Sequence, residues 1–108
     1  MFIEYDSTNH TYDPDKGGWA YKIVDRDFQE TIIMKPASFF VPFCEVYERH
    51  YGGDISCVAQ EIVRLILFVK ISIFGPNAIG YLGIEEDVKA NPQLAKYWEE
   101  AQKYLTLL

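Results

Sequence analysis

The spacing of apolar residues changes period part-way along this chain, and that change limits the fold more than any other feature. Up to Lys35 the pattern alternates. Trp19, Tyr21 and Ile23 fall on one side, with Ala20, Lys22 and Val24 on the other. Phe28, Glu30, Ile32 and Met34 likewise oppose Gln29, Thr31, Ile33 and Lys35. A period of two is the signature of a strand. Residues 2–6 are also β-compatible. Polar turn signals separate these runs: Ser7-Thr8-Asn9-His10, Asp13-Pro14-Asp15-Lys16-Gly17-Gly18 and Asp25-Arg26-Asp27. Turns this short predict an antiparallel meander.

Beyond Pro42 the apolar repeat becomes helical. Phe43, Val46, Tyr47 and Tyr51 share one face, and Gly52 is a natural left-handed stop. Residues 36–42 admit two readings. Either Ser38 caps a helix with Pro42 in or just past its first turn, or Phe39-Phe40-Val41 continue the sheet and Pro42 opens the helix. Asp54 is placed to cap a second, longer helix. Its stripe is Ile55, Val58, Ala59, Ile62, Ile66 and Val69, with Ser56, Gln60 and Arg64 opposite. From 65 to 69 it is apolar all round, which predicts a path through the core. Residues 71–74 fit a buried strand equally well, and Gly75-Pro76-Asn77 ends the segment.

Residues 78–83 read as a loop or short strand, and residues 84–89 as one acidic helical turn. Asn91-Pro92 opens a last helix, with Asn as cap and Pro at the first position. Leu94, Trp98, Ala101, Leu105 and Leu108 give its apolar stripe. Glu99 and Lys103 are spaced for an ion pair of about 0.2–0.5 kcal/mol. Strands first and helices after predict an α+β fold: an N-terminal antiparallel β-meander packed by two or three C-terminal helices. Residues 1–108 are read as a single acidic α+β domain, and an apolar content of 49% is enough for a core.

The net charge of −6 argues against nucleic acid, whose phosphates require clustered Lys and Arg. It argues equally against an anionic membrane surface. An acidic exterior instead attracts a basic partner. Residues 1–6 lack the basic start and apolar stretch of a signal peptide. The longest apolar run, residues 62–74, contains Arg64 and Lys70 and falls short of the ~20 residues of a membrane helix. The expectation is a cytoplasmic protein.

Motifs for chemistry do not emerge. His10 and His50 are the only histidines, and no Cys or His pair has zinc spacing. His50, near a helix end, reads as a solvated or capping residue. The Asp13-Pro14-Asp15-Lys16-Gly17 run has a calcium-loop flavour, but Val24 stands where a bidentate Glu is needed. Cys44 and Cys57 sit among apolar residues and read as buried free thiols. No Gly-x-Ser-x-Gly elbow, phosphate-binding loop or complete dinucleotide fingerprint is present. The reading is no catalytic residues, no metal and no cofactor.

Acidic clusters are the remaining signal. Residues 1–35 carry seven acids against four bases, and residues 85–100 five against two, so each is net −3. Tyr12 and Trp19 accompany the first cluster, Tyr81 and Trp98 the second. Aromatic residues make binding hot spots because they bury large areas at little rotamer cost. Trp98, on the apolar stripe, is assigned to the core.

In size, acidity and strand-then-helix order, the chain resembles bacterial toxin-immunity proteins of contact-dependent growth inhibition systems. The resemblance rests on residues 13–19, on Glu85-Glu86-Asp87 and on the absence of catalytic motifs. It implies a cytoplasmic protein that binds and neutralises a cognate toxin, in this case a basic nuclease domain, without being an enzyme itself. The expected partner-binding residues are Asp13, Asp15, Glu85, Glu86 and Asp87, with Tyr12 and Tyr81 as anchors. Alternatives from the residues alone are another protein-interaction module, a homo-oligomeric structural protein, or a small enzyme using carboxylates or Cys57.

Overall fold

The alternating segment forms β1 (Phe2–Tyr5), β2 (Tyr21–Asp25) and β3 (Glu30–Met34), paired antiparallel in chain order with β2 in the middle. The computed structural model describes residues 2–5, 21–34, 39–72 and 83–107. Phe2 pairs with Val24 and Tyr5 with Tyr21 across β1 and β2. Ile23 stands opposite Ile32 across β2 and β3, and both are buried. Such a cross-strand apolar pair adds roughly 0.2–1 kcal/mol.

β3 starts at Glu30, two residues later than the alternation predicts, because residues 26–29 are used up in the turn. Asp25 builds that turn: its Oδ1 accepts the backbone N–H of Asp27 at 3.1 Å and of Phe28 at 3.3 Å. Gln29 completes it in the left-handed region, at φ 56°.

Helix α1 (Phe40–Tyr51) starts ahead of Pro42, as in the first of the two readings of residues 36–42, and Phe40 and Val41 are helical rather than a continuation of the sheet. Pro42 lies in the first turn, where its missing N–H is no loss. Starting early puts Phe40, Phe43, Cys44 and Tyr47 on one buried face. Phe39 occupies the cap position without a capping side chain, and its carbonyl accepts Phe43 N–H at 3.0 Å. Gly52 ends the helix at φ 62°, as its position predicts, and Gly53 N–H closes on the Glu48 carbonyl at 2.9 Å.

Helix α2 (Ile55–Ser72) is capped by Asp54, whose Oδ1 accepts Cys57 N–H at 2.9 Å. Val58, Ala59, Ile62 and Ile66 are buried as the stripe predicts, whereas Ile55 is 42% exposed. Leu67 and Phe68 are only half-buried, so the helix lies along the core rather than running through it. Residues 71 and 72 remain helical.

The predicted single turn is a seven-residue helix, α3 (Ile84–Ala90), which follows Gly83 at φ 61°. Asn91 faces backwards rather than forwards. Its Nδ2 donates to the Asp87 carbonyl at 2.9 Å, and its backbone N–H bonds the carbonyls of Asp87 and Val88. It therefore closes α3, while Pro92 opens a 3-10 turn (Pro92–Leu94) leading into α4 (Ala95–Leu107). The described residues thus contain four α-helices, more than the two or three predicted.

The architecture is α+β. α1 contacts β3, α2 and α3, while α4 lies along α2 and touches α3. Ile23 and Ile32 of the sheet join one buried cluster with Phe39, Phe43, Tyr47, Ile62, Tyr97 and Trp98. Rings carry much of this core: Phe40 meets Trp98 edge-on at 6.3 Å, and Phe43 tilts against Tyr47 at 4.8 Å. The turn at 13–18, the possible cap Ser38, the 75–82 segment and Leu108 lie outside the described residues.

Candidate functional site

Tyr12, Asp13, Asp15 and Tyr81, four of the expected partner-binding residues, lie outside the described residues. The other three sit in the first turn of α3, where negative charge favours the helix dipole. Glu85 and Glu86 are exposed. Asp87 is half-buried and faces α1. Burial pushes its carboxyl pKa up, the backbone N–H of Phe40 opposes that rise, and the Glu86 charge reinforces it. Its Oδ2 is buried without a hydrogen-bond partner. Of the three acids, two are therefore offered to solvent, and one joins α3 to the start of α1.

α1 supplies two acids that the sequence analysis did not single out. Glu45 and Glu48 are exposed and, with Arg49, Gly52 and Gly53, line a shallow groove. Glu48 Oε2 accepts the Tyr97 hydroxyl at 2.8 Å. Burial, followed by that bond, pushes the Tyr97 pKa up to about 12. The buried Cys44 thiol is also raised, first by burial and then by the charges of Glu48, Asp87 and Glu45. Glu45 and Glu48 of α1 and Asp87 of α3 thus act together on the Cys44 thiol, while Glu85 lines a separate shallow groove with Trp98, Gln102, Leu105 and Thr106 of α4. Lys96 Nζ lies 5.0 Å from the centre of the Tyr97 ring.

A second polar group lies inside. Asp25 is 3% exposed, yet its carboxylate is held ionised. Burial raises its pKa. The Tyr47 hydroxyl on Oδ2 at 2.5 Å and the two turn amides outweigh that, so the net shift is downward. Tyr47 is raised in turn, by burial first and then by Asp25. Glu61, 4% exposed, accepts the Tyr51 hydroxyl at 2.8 Å and Arg64 Nη1 at 3.1 Å. Tyr51 is pushed up to about 12 by burial and by Glu61. These phenols stay protonated and donate, so the pairs fasten the β2–β3 turn and α2 to α1 rather than generate nucleophiles.

At the rim of this group Glu30 Oε1 receives Arg49 Nη2 at 2.5 Å and lies 2.8 Å from His50 Nε2. The His50 ring stacks on Phe28 with centres 4.5 Å apart. His50 is thus a partner of Glu30 as well as a basic residue in the last turn of α1.

Both cysteines are free. Cys57 is half-exposed, not buried as expected. A helix N-terminus lowers a thiol pKa, yet burial and the neighbouring Asp54 carboxylate raise this one. Among the described residues no three His, Cys, Asp or Glu side chains are grouped to hold a metal ion, and no helix is long and apolar enough to cross a membrane.

The signal for Glu61 and Arg64 was present in their spacing of three residues on one helix. For Asp25–Tyr47 no local signal exists, because the partner comes from another element. Comparison with protein-family models, with curated proteins and with solved structures found no match.

Proposed function

We propose that this protein is a toxin-immunity protein that binds a basic toxin domain through the carboxylates of α1 and α3. One observation carries the reading: exposed Glu45 and Glu48 on α1 and exposed Glu85 and Glu86 on α3 belong to two helices that pack on each other. Acids on packed helices are held in place before a partner arrives, so little ordering entropy is lost on docking. The net charge of −6 would steer a basic partner and speed its encounter, most strongly at low salt.

Nuclease domains are basic because their substrate is a polyanion. A carboxylate face can occupy the same surface and exclude that substrate. In this reading the β-meander and the helices act as a rigid support, and Tyr12, Asp13, Asp15 and Tyr81 extend the contact with anchors and further charge. The protein would act in the cytoplasm, where an incoming toxin finds its target.

The test is co-expression with the product of the adjacent gene, followed by growth and capture. Rescue of growth with a captured complex is the expected result. Reversing Glu45, Glu48, Glu85 and Glu86 to Lys should slow association by tenfold or more at low salt, with dissociation changed far less. Wild-type association kinetics in that variant would remove this face from the interface, and no rescue together with no complex would reject the immunity reading.

A further inference from the structure

We draw no further inference here: the strongest candidate, the apolar groove between α2 and α4 lined by Val63, Tyr104 and Leu107, carries nothing because nothing in the structure shows what covers it.

Discussion

The Tyr47 hydroxyl donates to Asp25 Oδ2 at 2.5 Å, joining the end of β2 to the middle of α1 across 22 residues of sequence. Both residues are buried, so neither can exchange its partner for bulk water. Tyr47→Phe removes the donor and leaves a buried carboxylate oxygen short of one bond. That costs about 2 kcal/mol, the usual penalty for an orphaned buried polar group. Urea denaturation should show the loss as a lower midpoint. A midpoint within experimental scatter of the wild type would mean that the pair contributes nothing net.

Two aspartates titrate in opposite senses. Asp25 has its folded pKa lowered from the ordinary 3.8, so its stabilising contribution is complete above that value and is lost as pH falls through the folded pKa. Asp87 has its folded pKa raised from 3.8. Its contribution is complete below that value and is lost as pH rises through the folded pKa. Asp25→Asn should therefore flatten stability against pH on the acid side of 3.8, and Asp87→Asn on the other side. Urea midpoints taken from acid to neutral pH separate the two. Unchanged slopes in both variants would refute the assignment.

Gln29 is the one residue other than glycine with positive φ among the described residues. A side chain in the left-handed region costs roughly 1 kcal/mol, which glycine escapes. Part of that gain is returned as backbone entropy in the unfolded chain. Gln29→Gly should raise stability by about 0.5 kcal/mol, read as a small increase in thermal midpoint. A fall in midpoint would show that the Gln29 side chain makes contacts worth more than its strain.

Thiol chemistry should be slow and ordered. Cys44 is buried with a raised pKa, and Cys57 is half-exposed, with its pKa raised as well. A disulfide reagent at mildly alkaline pH should label Cys57 before Cys44, and Cys57 more slowly than free cysteine. Mass spectrometry of partly labelled protein gives the order. Cys44 reacting first would contradict its burial.

Much of the fold was legible where one short segment decides the outcome. The alternation through Ile23 and Ile32, the Asp54 cap, the Gly52 stop and the Leu94–Trp98–Ala101 stripe all depend on neighbours within a turn or two, and all appear in the structure. What depends on distant partners was not legible. Asp25-Arg26-Asp27 was rightly a turn, but the burial of Asp25 is set by Tyr47. Asn91 had two helices to serve, and its hydrogen bonds went to the preceding one. Lys103 had two acids within reach and pairs with Glu100 at 3.4 Å rather than Glu99, since long exposed side chains gain only tenths of a kcal/mol from either choice. The same limit applies to the proposed site: three adjacent acids in α3 look equivalent in sequence, and only packing against α1 turns Asp87 inward.

The bond between Tyr97 and Glu48 gives the protein a built-in optical probe. A cation that engages Glu48 competes with the Tyr97 phenol for the same carboxylate. Occupancy of the α1 groove is therefore expected to register on the Tyr97 phenol, and ultraviolet difference absorption follows it without an attached dye.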